Sequence, residues 1–142
     1  MTEEEMNLVA VDRWIGLFNS DSHRMIDECY ADDFRVRYIG VGEITDKELY
    51  HAVEHQSQAA MPDITARVVR VVAAGDTVVV EGVMSGTDQE SNEQVRVEFC
   101  SWLTFENGLI TLEHSYFDAQ SGPGMSDLIT AALELLGRSD IN

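Results

Sequence analysis

The chain has a single lysine, Lys47, only two cysteines and two prolines, and no apolar run near the roughly 20 residues needed to cross a bilayer. Cys29 and Cys100 lie far apart in sequence and form no Cys-x-x-Cys motif. A disulfide-stapled miniprotein is therefore excluded, and two reduced thiols are expected. Basic residues number 9 against 26 acidic ones, for a net charge of -17. Such a surface repels phosphate backbones and anionic lipid, so neither nucleic acid nor membrane is expected as a partner. The opening Met1-Thr2-Glu3-Glu4-Glu5 carries three acids where a secretory signal would be basic and then apolar, which predicts a cytoplasmic protein. No phosphate loop or dinucleotide fingerprint occurs. Gly40-Val41-Gly42 lacks the third glycine and the helix start that must follow it.

What remains is average for a globular protein: 142 residues, 44% hydrophobic and 25% charged. That length predicts one domain over residues 1–142, large enough to hold a core and an internal cavity. Val11, Trp14, Ile15 and Phe18 recur at i, i+3, i+4 and i+7 and predict a helix over residues 4–19. Asn19-Ser20-Asp21-Ser22 ends it and caps a short second helix, whose apolar side is Met25, Ile26, Cys29 and Tyr30. Residues 34–39 alternate as a strand closed by Gly40 and Gly42. Thr45-Asp46-Lys47-Glu48 reads as a capping box opening a third helix through residue 60. Strands are predicted over 64–74, 77–87, 94–105 and 109–118, with turns at Gly75-Asp76 and Glu106-Asn107-Gly108. A last helix is expected from the Ser126 cap to Gly137, with an apolar face that needs a partner. Helices first and a strand meander afterwards indicate an α+β class, not a βαβ repeat.

Four segments carry a resemblance. The first is Val11-Asp12-Arg13-Trp14-Ile15-Gly16-Leu17-Phe18-Asn19 with Cys29-Tyr30-Ala31-Asp32-Asp33-Phe34, and the second is Met61-Pro62-Asp63-Ile64. The third runs from Ala74-Gly75-Asp76-Thr77 through Glu81-Gly82 to Ser85-Gly86-Thr87. The fourth is Phe105-Glu106-Asn107-Gly108-Leu109-Ile110 leading into Glu113-His114-Ser115-Tyr116-Phe117-Asp118. In this order and spacing they resemble the SnoaL-like polyketide cyclase family of the nuclear transport factor 2-like superfamily, over residues 6–137. The resemblance implies a cystatin-like α+β barrel, with a cone-shaped, curved antiparallel sheet wrapped around the N-terminal helices. It also implies a homodimer and an apolar cavity for a hydrophobic small molecule, with no cofactor and no metal. The superfamily holds many chemistries, so the pocket residues decide.

Ketosteroid isomerases of that superfamily use a tyrosine, a carboxylate base and a protonated aspartate. An ungapped comparison puts Trp14, Tyr38 and Ser101 at those positions, so the isomerase roles are lost and these side chains are expected to bind ligand. The Arg, Asp and Asp of limonene-epoxide-hydrolase relatives fall on Gly82, Met84 and Ser115, which cannot perform that reaction. The aspartate acid/base of SnoaL-like cyclases corresponds to Asp118.

Strict alternation places Ile110, Leu112, His114, Tyr116 and Asp118 on one face of the last strand, unless a bulge reverses the parity. If that face lines the cavity, Asp118, His114 and Tyr116 form the catalytic set. A desolvated aspartate is a base near neutral pH, and a phenol or imidazole can stabilise the enolate it creates. Asp118 equally suits a cap for the turn that follows the strand.

His51 and His55 stand one helical turn apart on the third helix, without the His-Glu-x-x-His order of zinc proteases. They read as a solvated face, although the resemblance sets this helix beside the cavity and makes His55 a candidate ligand contact. Phe99, Ser101, Leu103 and Phe105 share a strand face expected to line the core, with Phe99 and Ser101 as candidate ligand contacts, and the opposite Trp102 face is expected at a dimer contact. Glu81 and Glu98 are expected to point outward. Cys29 has no neighbouring histidine or base to activate it, and Lys47 sits in an exposed cap. The residues therefore support cofactor-free proton transfer on a hydrophobic carbonyl compound, as in a polyketide cyclase or an isomerase. The alternatives are a non-catalytic hydrophobic-ligand-binding module and a dimerisation domain of the same fold.

Overall fold

In the computed structural model, which describes residues 1–118, 133, 134, 136 and 137, one face of a six-stranded sheet packs against three helices. The helices are α1 (Glu3–Ser20), α2 (Ser22–Cys29) and α3 (Lys47–Ala60). The strands are β1 (Tyr30–Tyr38), β2 (Gly42–Ile44), β3 (Thr65–Ala74), β4 (Thr77–Thr87), β5 (Gln94–Glu106) and β6 (Leu109–Phe117). The predicted α+β class and four long strands are present. The short β2, hidden in sequence behind Gly40 and Gly42, is an addition that pairs with the end of β1.

Strand order is β2-β1-β6-β5-β4-β3. The β3–β6 meander is antiparallel, but β6 runs parallel to β1, so the expected all-antiparallel sheet is a mixed one. The sheet is curved around the helices as expected and open, with β2 and β3 as its edges. Edge strand β3 carries a bulge between Val68 and Arg70 and exposed arginines, both of which oppose pairing with another chain.

Local chemistry sets the helix ends. Thr2 and Glu5 form a capping box at the start of α1. Asp21 donates its backbone N–H to the Leu17 carbonyl at the end of α1, while its carboxylate accepts the Arg24 N–H at the start of α2. One residue thus makes the corner between two helices. The cap of α3 is Asp46, which accepts the Leu49 N–H at 2.8 Å, one residue later than the capping box predicted from Thr45. At the other end, Asp63 accepts both the Thr87 N–H (2.7 Å) and its hydroxyl (2.9 Å), tying the end of α3 to the end of β4. Asn19 binds the N–H and the C=O of Ala66, and Asn7 and Glu4 bind the Gly75 turn. The long helix is thereby fixed across β3.

The core lies between helices and sheet, built on Met25, Ile26, Tyr30, Phe34, Leu49 and Leu103. The predicted C-terminal helix falls outside the described residues except for Leu133, Glu134, Leu136 and Gly137, and Leu133 is buried in this core. Gly82 stands opposite Phe99 on the inner face. A Cβ there would sit 2.5 Å from the Phe99 ring and 2.8 Å from the Arg67 carbonyl oxygen. Backbone on one side and a packed ring on the other leave no room for it. Gly82→Ala is therefore expected to cost about 1–3 kcal/mol, read as a lower urea midpoint.

Candidate active site

Between the sheet and the helices lies a cavity of about 400 Å³. Cross-strand register explains its lining row by row. One inward row is Val78–Leu103–Glu113–Val36, the next is Val80–Ser101–Ser115–Tyr38, and Gly82–Phe99–Phe117 and then Met84–Val97 follow toward the ends of β4 and β5. Trp14 and Phe18 from α1 and Tyr50, Val53 and Glu54 from α3 close the opposite wall.

The parity of β6 decides which side chains enter. Phe105 pairs with Ile110 but Thr104 pairs with Leu112, leaving Thr111 as an extra residue in β6. Such a bulge turns every later side chain to the other face. Ile110 stays inside, and Glu113, Ser115 and Phe117 follow it there. His114 and Tyr116, expected in the cavity, point to the outer face, where His114 pairs with Trp102 and Arg37 and Tyr116 is 47% exposed. The bulge is the physical reason for this correction. Asp118 follows the strand end, donates its N–H to the Glu98 carbonyl and lines the cavity from an exposed position.

Of the remaining predicted residues, Trp14, Tyr38, Phe99 and Ser101 do line the cavity. His55 does not. It lies on the exposed face of α3, because the buried stripe of that helix is Leu49, Tyr50, Val53, Glu54 and Ser57. His51 contacts His23 of α2 and Asp27, away from the cavity. Glu81 and Glu98 face outward as expected, and Cys29 and Cys100 are free thiols raised above the usual range by burial.

Sequence reasoning missed the two buried carboxyls. Glu113 is 3% exposed and ends two hydroxyl chains. On one oxygen it accepts the Tyr30 hydroxyl at 2.5 Å. The Trp14 indole N–H can only donate, so it gives its proton to the Tyr30 oxygen at 2.9 Å. With the Tyr30 proton directed at Glu113, the Tyr50 hydroxyl 3.1 Å away is the donor to Tyr30. On the other oxygen, Glu113 accepts Ser115 at 2.6 Å, and the Ser101 hydroxyl lies 2.6 Å from that of Ser115. Burial raises the Glu113 pKa while the Ser115 and Tyr30 bonds oppose the rise. Tyr30, Tyr38 and Tyr50 are held well above their usual range, chiefly by burial and then by nearby acidic or phenolic groups.

Glu54 is 6% exposed, and its pKa is pushed up to about 7 by burial, against a hydrogen bond from Ser22 that lowers it and with a smaller push from the Glu113 charge. Its position on the apolar stripe of α3 is visible in the heptad spacing. Glu113 gives no such signal, because its inward direction depends on the bulge. No Lys, Arg or His is among the described residues that line the cavity, which presents carboxyl, phenol and hydroxyl groups in an aromatic wall. A carboxyl titrating near neutrality in such a wall can both take and return a proton.

The raised Glu54 pKa has a thermodynamic consequence. The folded chain holds the proton up to about pH 7, whereas the free side chain releases it near 4.5. This contribution to stability is full below the lower value and is lost as pH rises through the higher one, about 3 kcal/mol in all. Glu54→Gln should flatten the fall in stability between pH 5 and 8 and make the variant more stable than wild type at pH 8, as measured by chemical denaturation across that range.

Comparison with known proteins comes from sequence and from structure. A family model described as a SnoaL-like domain matches residues 11–113. No curated protein sequence matches the chain. A candidate SnoaL-like polyketide cyclase from Jannaschia sp. CCS1 superposes with a TM-score of 0.76 at 18% identity, over 84% of this chain and 90% of that one. A limonene-epoxide-hydrolase-like epoxide hydrolase from M. tuberculosis has a TM-score of 0.72 at 19% identity, over 96% and 98%. A loop-truncation variant of IdmH has a TM-score of 0.71 at 24% identity, over 81% and 94%. At these identities the likeness shows the shared fold.

Proposed function

The chain belongs to the SnoaL-like domain family, and from that premise we propose that it catalyses cofactor-free proton transfer on a hydrophobic carbonyl compound bound in the cavity. The observation that carries the reading is Glu54, a carboxyl buried in an apolar wall with its pKa near 7. It is matched to removing a proton beside a carbonyl and returning it elsewhere in the molecule, the step shared by cyclisation and isomerisation. Tyr38 is the donor to the developing enolate oxygen. Tyr38 lines the cavity on the inward row beside Ser101 and Ser115, within reach of a bound ligand. Asp118, where the family resemblance puts the acid/base, stands at the edge of the cavity as the second proton-transfer group. A lining with no basic side chain among the described residues favours a neutral ligand over a carboxylate or phosphate.

Deuterium uptake from heavy water into a panel of apolar ketones and β-keto esters tests this assignment by mass spectrometry. Glu54→Gln should lower uptake at least 100-fold, Asp118→Asn by less than tenfold, and outward-facing His114→Ala by less than twofold. Loss of uptake in Asp118→Asn with Glu54→Gln active would transfer the role to Asp118. No uptake into ketones that bind would leave a non-catalytic binding module.

The outer face of the sheet supports a homodimer. Val72, Val79, Trp102 and His114 form one cross-strand row, in which Trp102 is 51% and Val72 59% exposed. An apolar row of this kind on a sheet face gains from being covered by a second copy. Trp102→Glu should convert a dimer to a monomer in light scattering. A wild-type chain that is already monomeric at micromolar concentration would refute the dimer.

A further inference from the structure

The two serines beside Glu113 have one way to place their protons. Ser115 gives its proton to a Glu113 oxygen at 2.6 Å. A hydroxyl has a single proton, so the 2.6 Å contact between the Ser115 and Ser101 oxygens must be made by the proton of Ser101. The other Glu113 oxygen accepts Tyr30 at 2.5 Å, so neither oxygen has a proton to hand back along the chain. Ser101 is thereby left with lone pairs alone. Among the described residues, the bond to Ser115 is the one hydrogen bond its side chain makes. Both serines are buried and line the cavity, in the row Val80–Ser101–Ser115–Tyr38.

We infer that Ser101 is a specificity-determining residue: its oxygen, turned into a pure acceptor by Ser115 and Glu113, takes a hydrogen bond from a hydroxyl group of the ligand. The inference rests on the reading of the cavity as a small-molecule site and deepens it, because the ligand that fits carries a phenolic or enolic hydroxyl as well as a carbonyl. A carbonyl oxygen set against Ser101 would bring two acceptors together with no proton between them, and would give up its hydration without return. A hydroxyl there extends the chain from ligand to Ser101, Ser115 and Glu113, with each oxygen satisfied. A site that binds a hydroxyl through a buried partner rejects an analogue that lacks it, since the partner is then left unpaired. Phe99 and Phe117 form the neighbouring row and give the ring that bears this hydroxyl an aromatic surface.

The test is calorimetric titration with indan-5-ol and 1-indanone, two neutral bicyclic probes of which only the first offers a donor. Ser101→Ala should weaken indan-5-ol about fivefold and leave 1-indanone within about twofold. Ser115→Val puts carbon where the hydroxyl stood and returns the Ser101 proton to the cavity, so it should strengthen 1-indanone about threefold. Equal weakening of both probes in Ser101→Ala, or no change in either, overturns the inference. So does an unchanged ratio of the two affinities in folded Ser115→Val. If circular dichroism shows Ser115→Val unfolded, Ser101→Ala decides alone. A wild-type protein that binds neither probe overturns the inference as well. The expected Ser101→Ala pattern in a chain that exchanges no ketone deuterium upholds it and rejects the catalytic reading alone.

Discussion

A carboxylate buried among apolar side chains must be fully hydrogen-bonded, and much of the interior is arranged to meet that demand at Glu113. An uncompensated charge there would cost several kcal/mol. The donors come from distant parts of the chain: Tyr30 from β1, Ser115 from β6, and behind them Tyr50 from α3, Trp14 from α1 and Ser101 from β5. Five elements are thus held to one another by direction-specific bonds as well as by packing. Non-directional burial would tolerate α1 or α3 sliding along the sheet. The indole of Trp14 and the phenols of Tyr30 and Tyr50 each have one proton to place, so they define the positions of those helices more narrowly.

The two buried acids divide the chemistry of the cavity between them. Glu113 accepts two short hydroxyl bonds, from Tyr30 and Ser115, and lines the cavity with both oxygens so engaged. Glu54 lies on a helix face between an apolar space and a polar one. Environment alone separates a carboxyl enclosed by hydroxyl donors from one that borders two spaces of different polarity.

Much of the fold was legible in the sequence because local signals and tertiary packing agree. The i, i+3, i+4, i+7 pattern of Val11, Trp14, Ile15 and Phe18 marks the side of α1 that meets the sheet, and Gly75-Asp76 turns the chain between β3 and β4. The strand alternation of Phe99, Ser101, Leu103 and Phe105 also survives, since β5 is regular on that face. The candidate site was harder to read because it depends on a single inserted residue. Thr111 carries no turn signature, yet it moves His114 and Tyr116 out and Glu113 and Ser115 in. Parallel pairing of β1 with β6 was likewise hidden, since it joins strands separated by most of the chain. His55 and Glu54 are neighbours, and a rotation of about 100° per helical residue assigns one to solvent and the other to the cavity.

The two tryptophans occupy opposite sides of the sheet. Trp14 is buried in the cavity wall with its indole N–H bonded to Tyr30, whereas Trp102 stands half in water on the outer face. A buried indole emits at shorter wavelength than a hydrated one, and a quencher dissolved in water reaches the second far sooner than the first. The molecule therefore contains two optical reporters with separable signals, one sensitive to what fills its interior and the other to what covers its exterior.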